Sequence, residues 1–572
     1  LKRRGSQPIT IALTPSRTSG VAPLAVHFDL TGTTGDNATN PFAELDYWAD
    51  FDDPSGSFDG GNRGAVVSHV FDAPGTYDVV FYVRDILGNL ATRGVTITVS
   101  DPDVVFAGTD TVCVASDGDF TGAPSGCTQV TSSDFDAVAL AYLGSGKRVL
   151  FKKGQTFTSS ATVAITATSA AILGAWGTVG TLDARGIDSN APIVSVAHNS
   201  NVLTFGSSGS TIIANDVRVM DIDFRYTNGG TSGHFAAFSY RGDQLLFYRL
   251  KNSSGQFNYD FNLSTSVPET YGIDPPDLNC IANCDFSIGS RGYGAYIGGL
   301  RWMLLNTAFG TSGSSTHGTR VQFGRKCHFA GMVWAKAASS THSFTIRAHD
   351  HVAGQEEETG SRYHVVDGCT TDCGTVWPWH IGSESTGHEE YVDDVLVDGC
   401  VFNVGTGANN SYQIHTGGRR ITIANCTVNV NAGEGITSCG LAFVDTYGLS
   451  PQAAPEDVRI IHNTVATDVT MSGTIRLLNA TSGSNIFLQN NILYAPAATT
   501  RTLKTGAATV TVDHNLLDID PSFVALPGDL HLQSGSAARD YGTPVAWSFR
   551  DADGVLRDYT TSPDAGALEY VA

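Results

Sequence analysis

The chain has 572 residues, of which only 16% are charged, with 63 glycines and a formal net charge of −22. That length exceeds a single core, and a glycine-rich, charge-poor balance favours β-structure with many turns over long helices. The negative balance excludes nucleic acid as the main partner, no apolar run of about 18 residues is present to insert in a bilayer, and no paired CxxC sets mark a zinc site.

From the N-terminus, Leu1-Lys2-Arg3-Arg4-Gly5 is basic without the apolar stretch of a signal peptide. Residues 8–101 then alternate apolar and polar over short runs split by Gly, Pro and Asp, which predicts a small antiparallel sandwich. Three stretches carry a resemblance: Ala22-Pro23-Leu24-Ala25-Val26-His27-Phe28-Asp29, Tyr47-Trp48-Ala49-Asp50-Phe51-Asp52-Asp53, and His69-Val70-Phe71-Asp72-Ala73-Pro74-Gly75-Thr76-Tyr77. In order and spacing they resemble the PKD family, which implies an immunoglobulin-like sandwich, an extracellular location and a spacer or surface-contact role. Trp48 and Phe51 are expected to plug its core. Ser100-Asp101-Pro102-Asp103 reads as a linker.

Ten cysteines follow, and three close pairs, Cys113 with Cys127, Cys280 with Cys284 and Cys369 with Cys373, have the spacing of short-loop disulfides. Cys400 and Cys426 read instead as buried thiols.

From residue 104 to 572, short β-branched runs recur every 20 to 40 residues. The repeat is apolar, any, apolar, any, any, Cys or Asn, any, apolar. It fits strands ending at Cys400, Cys426, Asn463, Asn491 and Asn515, with intervals of 26, 37, 28 and 24 residues. Such units stack to bury a continuous core, with the Cys and Asn side chains in a ladder at one corner. Weaker copies lie at Val217-Arg218-Val219, Ile281-Ala282-Asn283-Cys284 and Phe344-Thr345-Ile346, the last putting His349 at a ladder position. The organisation, with Asp529-Leu530-His531-Leu532 and Asp564-Ala565-Gly566-Ala567-Leu568-Glu569 near the end, resembles the pectin-lyase-like superfamily. That implies an all-β chain with a right-handed parallel β-helix over 104–572.

Nine of the sixteen histidines fall within 317–415. Within 317–351, Arg320, Arg325, Lys326, Lys336 and Arg347 face a single acid, Asp350, which makes a basic strip in an acidic chain. Stacking Val321 on Phe344 and Phe323 on Ile346 would send Arg320, Ser343, Thr345 and Arg347 to one outer face. There Arg320 and Arg347 would neutralise uronate or sulfate groups, with His342, His349 or Lys336 as the base of a β-elimination. A solvated outer strand face is the competing reading of the same strip.

The acidic run Glu356-Glu357-Glu358 and the pair Glu389-Glu390 offer Ca2+ ligands, against the plainer reading of solvated loops. His380-Ile381-Gly382-Ser383-Glu384 resembles the Ile-Gly-Ser-Glu coil of polygalacturonase-type glycosidases. That family's Gly-His-Gly and Asp-Asp positions are here Val376-Trp377-Pro378 and Thr341-His342, so the acids of an inverting hydrolase are missing. Trp377, Trp379 and Tyr391 are expected to stack on sugar rings, with His380 beside them as a binding residue, against the commoner use of such aromatics as buried loop anchors. The function expected is a secreted protein that binds and cleaves an acidic polysaccharide in a lyase-like way. Its rival is a non-catalytic surface, adhesion or assembly protein that self-associates with the β-helix as a rigid rod.

Overall fold

The computed structural model describes every residue except 1–8, 55–57, 59–60, 208–210, 228–232, 255–256, 258, 265–274, 291, 312–316, 336–341, 349–360, 374–377, 383–391, 406–410, 431–437, 447–453, 547, 559–560 and 572. No helix among the described residues is long and apolar enough to cross a membrane.

The N-terminal unit holds two small sheets. One comprises Thr14–Pro15, Leu24–Asp29 and Val66–Phe71, and the other Ser19–Val21, Leu90–Ser100, Gly75–Arg84 and Asp46–Asp50. Period-2 alternation sends Val79, Phe81 and Val83 inward from the second sheet, where they meet Leu24, Val26, Phe28 and Phe71 of the first. Phe51 joins this core as expected, 6.1 Å from Phe28. Trp48 does not. It lies half-buried on the outer face, stacked on Tyr82 at 5.1 Å and covered by the guanidinium of Arg550 at 4.5 Å, because its neighbours Tyr47 and Ala49 take the inward positions.

The rest of the chain winds into a parallel β-helix with three walls. One coil shows the plan: Val392–Asp398 on the first wall, Gly399 and Cys400 at a corner, Val401–Val404 on the second, Ser411–Thr416 on the third, and Arg419–Ala424 back on the first. Every wall is paired in parallel; the first and third merge into one sheet of 27 strands among the described residues, and the second has 13. At each corner after the first wall, a residue with positive φ turns the chain, as at Asn283, Gly331, Gly368, Gly399, Asn425, His462 and Asn490. Gly, Asn and Asp accept that conformation at least cost, which explains why they dominate this column, with His462 and Arg249 among the larger exceptions.

The next residue points inward and forms the ladder. Cys426 N donates to Asn463 Oδ1 at 2.8 Å, Asn463 N to Asn491 Oδ1 at 2.8 Å, and Asn491 N to Asn515 Oδ1 at 3.0 Å. The expected column is therefore a physical stack. Phe344–Ile346 is not a copy of it, since that strand lies on the third wall between Thr319–Arg325 and Trp379–Ile381. At that level the residues after the corner glycines, Met332 and Cys369, hold the ladder. His349, placed there by the sequence pattern, lies outside the described residues.

The cysteines differ from expectation as well. Cys280 packs outward against the N-terminal unit while Cys284 points into the core, so the two diverge, and both are free thiols. Cys113 and Cys127 share one apolar cluster, also as free thiols, and the Cys373 side chain is not among those described.

The outward positions of the first wall are apolar where a solvated wall would be polar, and the N-terminal unit covers them. Ala25 and Val70 pack on Leu246, Tyr248, Cys280, Ala282, Met303 and Leu305, and Val365 enters the core of the unit itself. Polar ties frame the seam: Arg218 donates to Val21 O and Pro23 O at 2.9 Å each, Arg249 pairs with Asp72 at 2.9 Å, and Lys326 with Asp29 at 2.5 Å. The C-terminal segment runs back along the corner column. Arg557 donates to Asn425 Oδ1 at 2.8 Å, Gly566 N to Asn490 O at 2.7 Å, and Arg550 reaches Asp46 of the N-terminal unit at 3.2 Å.

Candidate functional site

The third wall, hereafter the histidine wall, alternates along its central residues, with a break before Ala442 and Leu478, where Leu441 and Leu477 are core residues as well. Phe344, Trp379, Ile414 and Ala442 point into the core, while the residues that follow them, Thr345, His380, His415 and Phe443, point outward. Register places Tyr296 and Arg320 ahead of them in the same column and Asn479 behind. The expected register was two residues off, since Thr319 rather than Val321 opposes Phe344. A shift of two preserves the faces, so Arg320 and Thr345 remain outward as predicted.

Coil stacking turns these side chains into a continuous ladder of rings. Tyr293 lies 5.1 Å from His317, His317 5.5 Å from His342, His342 5.4 Å from His380, His380 5.1 Å from His415, and His415 4.9 Å from Phe443. Four imidazoles in a stack cannot all be charged. Burial first, then the charges of His415, His342 and Arg347, hold His380 well below the usual histidine range, and burial does the same to His317. Both are neutral at neutral pH. His415 Nε2 lies 2.9 Å from Asp445 Oδ1, which makes a histidine–carboxylate pair.

The next outward column along the strands holds Arg347, Gly382, Gly417 and Asp445. Their amides bond in step to Val321 O, Ile346 O, Ile381 O and Thr416 O at 3.0 to 3.2 Å. Gly382 has no room for a larger residue, because a Cβ there would stand 3.1 Å from Gly417 N and 3.5 Å from His380 Nε2. The two glycines thus leave a bare backbone floor beside the imidazoles, with a guanidinium at one end and a carboxylate at the other. With about 4.8 Å per coil, the column from Arg347 to Asp445 spans roughly 14 Å. Arg347, His380 and His415 are 6%, 1% and 0% exposed, whereas Arg320 and His342 are half-buried and form the accessible edge.

Of the residues singled out from the sequence, Arg320, His342, His380 and Arg347 come together on this wall. Trp379 does not bind from the surface. It is fully buried, packed on Trp334, Phe344 and Phe402, with its indole N–H donated to Thr371 Oγ1 at 2.7 Å. His380 points outward, and alternation sends its neighbour in. Lys336, His349, Trp377 and Tyr391 lie outside the described residues, as do the acidic groups Glu356 to Glu358 and Glu389-Glu390. Among the described residues, no group of three or more His, Cys, Asp or Glu is arranged to hold a metal. The sequence reading passed over Asp445, the pairing role of His415, and Arg476, whose guanidinium lies 5.5 Å from the Tyr412 ring. A two-residue step from Phe443 was the available signal for Asp445, and it becomes visible only once the coils are aligned.

No protein-family model matches the chain, and none of the curated proteins matches it. Among solved structures, a family 28 exopolygalacturonase from Yersinia enterocolitica is similar at 8% identity and a TM-score of 0.39, over 89% of this chain and 98% of that one. The catalytic unit of a thermostable GH87 α-1,3-glucanase from Streptomyces thermodiastaticus is similar at 12% identity and a TM-score of 0.25, over 89% of this chain and 96% of that one. Both scores are low, and the parallel β-helix stands on the strand registers themselves.

Proposed function

We propose that the chain is a secreted, carbohydrate-active protein that binds an acidic polysaccharide along the histidine wall and cleaves it by β-elimination. One observation carries the reading: neutral imidazoles stand beside Arg347 and the glycine floor of Gly382 and Gly417. A guanidinium on a uronate carboxylate lowers the cost of removing the adjacent proton, and the histidine placed to take it is His415, whose Nε2 lies 2.9 Å from Asp445 Oδ1. The electrons of the broken C–H bond form the new double bond as the glycosidic C–O bond opens, and the leaving oxygen takes a proton. His415, held by Asp445, is suited to supply or receive that proton. On the same footing we assign the N-terminal unit to the PKD type, from its sequence motifs and its two facing sheets, and the winding as right-handed, the sense that parallel crossovers take.

The test is product release. Incubated with alginate, pectin and chondroitin, the protein is expected to generate ultraviolet-absorbing unsaturated ends, and Arg347→Ala is expected to abolish them while the melting transition stays in place. Silence across the panel, or full turnover by Arg347→Ala, overturns the elimination reading. A second reading, a non-catalytic rod that self-associates, draws support from the near-complete burial of His380, His415 and Arg347. It predicts filaments or lattices of the purified protein and no new chain ends of either kind.

A further inference from the structure

We infer that the histidine wall carries a second cationic anchor, Arg476 beside Tyr412, which with Arg320 fits the wall to an extended polyanionic glycan rather than a short fragment. The inference rests on reading this wall as the polysaccharide site.

Arginines are used in two ways in this chain: some pair with carboxylates, while others, such as Arg93, Arg362 and Arg539, meet only backbone oxygens, hydroxyls or aromatic rings among the described residues. On the corners and the seam, Arg218, Arg241, Arg249, Arg301, Arg419 and Arg420 each meet an aspartate. Arg320 instead donates to Tyr293 OH at 3.3 Å and lies 5.3 Å from the Tyr296 ring. Arg476 donates to Thr505 Oγ1 at 3.0 Å and lies 5.5 Å from the Tyr412 ring. Neither has a carboxylate partner among the described residues, although the chain has a net charge of −22 and acids in plenty. Both are half-buried and point outward.

The construction of the second anchor is specific. Register aligns Tyr412, Gly440 and Arg476 on three successive coils. A Cβ at Gly440 would come within 2.9 Å of the Tyr412 ring, so the glycine opens the gap through which Arg476 reaches two coils back to Tyr412. A guanidinium near an aromatic face, with one N–H on a threonine hydroxyl, keeps its other N–H groups for a carboxylate or sulfate. Tyr412 is in turn stacked on Phe443 at 5.2 Å, which joins the anchor to the ring ladder.

The two guanidiniums lie against Tyr296 and Tyr412, whose coils are four steps apart, about 19 Å along the axis. The column of His380, His415 and Phe443 runs beside that line, three residues further along the strands from Tyr412 and Arg476. A glycan advancing roughly one sugar per coil step needs about five units to touch both anchors. Once one end is held, the second contact is made at high effective concentration, so affinity rises with length until both are engaged.

Equilibrium binding tests this without turnover. Uronate oligomers from dimers to octamers, and sulfated oligomers of matched length, are titrated against wild type, Arg476→Ala and the near-isosteric Arg476→Gln, with thermal melting as the check on folding. In wild type, long chains are expected to bind about tenfold more tightly than dimers, and both variants are expected to lose that gain while binding dimers unchanged. The better-bound series identifies the anion as carboxylate or sulfate. Affinity that is flat with length, long-chain binding by both variants equal to wild type, or equally tight binding of single-stranded DNA would each overturn the anchor. Absence of unsaturated products alongside intact length dependence would instead overturn only the elimination chemistry.

Discussion

At the scale of single residues, the pairing of Asp445 with His415 is the most consequential contact on the wall. A carboxylate 2.9 Å from Nε2 fixes the tautomer with its proton on that nitrogen and stabilises the imidazolium once formed. Asp445→Asn preserves size but removes that stabilisation. We expect kcat to fall by about 10²-fold or more with KM little changed. Steady-state kinetics would show it, and an unaltered kcat would reduce Asp445 to a structural acid. Period-2 alternation made Arg320, Thr345 and Arg347 legible beforehand, because it is a property of the strand and survives a two-residue error in register. His342 stood out by the clustering of histidines and His380 by the Ile-Gly-Ser-Glu resemblance. Alternation turns Trp379 inward beside an outward His380, so of the two uses open to that tryptophan the buried anchor is the one taken. Asp445 and Arg476 were not legible, because each gains its role from a coil far away in sequence, and no local pattern marks them.

At the scale of the repeat, the asparagine ladder converts a spacing into stability. Asn491 accepts from Asn463 N and Nδ2 at 2.8 and 3.0 Å, and donates to Asn515 Oδ1, Ile460 O and Gln489 O at 2.7 to 2.9 Å. All of this lies in the interior, so Asn491→Ala would strand several polar groups away from water. We expect a loss of about 2 to 4 kcal/mol, read as a lowered melting temperature. Asn491→Cys should cost less, because Cys426 fills the equivalent corner with its thiol on Ala424 O at 3.2 Å. Equal melting of the alanine variant and wild type would mean that the ladder is decorative. The spacing from Cys400 to Asn515 revealed this element because polar residues occupy the corner there. Upstream, Ile222, Leu250 and Met332 take the same place, and an apolar corner residue is indistinguishable from any core residue. For that reason Phe344–Ile346 was assigned to the wrong wall: apolar alternation identifies a strand, not the side of the coil to which it belongs.

At the scale of the whole molecule, the N-terminal unit packs along the body of the β-helix, and the seam between them buries two histidines, His27 and His328. His328 is fully buried there, with no hydrogen-bond partner on either ring nitrogen among the described residues, and a Cβ at Gly61 would touch its ring. His27 lies nearby with Nε2 2.7 Å from Lys326 O, and Asp29, Lys326, Arg301 and Asp277 are the charges around it. Burial holds His328 down to about 3 and His27 down to about 4, both from 6.5. Each histidine therefore takes up a proton near pH 6.5 when unfolded but not when folded. The unfolded chain binds more protons in that window, so stability falls as pH drops from about 6.5 towards 4. Asp367 and Glu569, both pushed up by burial to about 7, act in the opposite direction: they keep protons that the unfolded chain has released, and so favour folding as pH falls from about 7 to 4. A variant comparison separates the two. His328→Leu removes one histidine and leaves both acids, so relative to wild type it should gain about 2 kcal/mol on going from pH 7 to pH 5. Melting curves at the two pH values would show the difference, with the wild-type seam also cut sooner by protease at pH 5. Parallel pH dependence in the two proteins would mean that His328 is solvated and that the unit does not seal this wall.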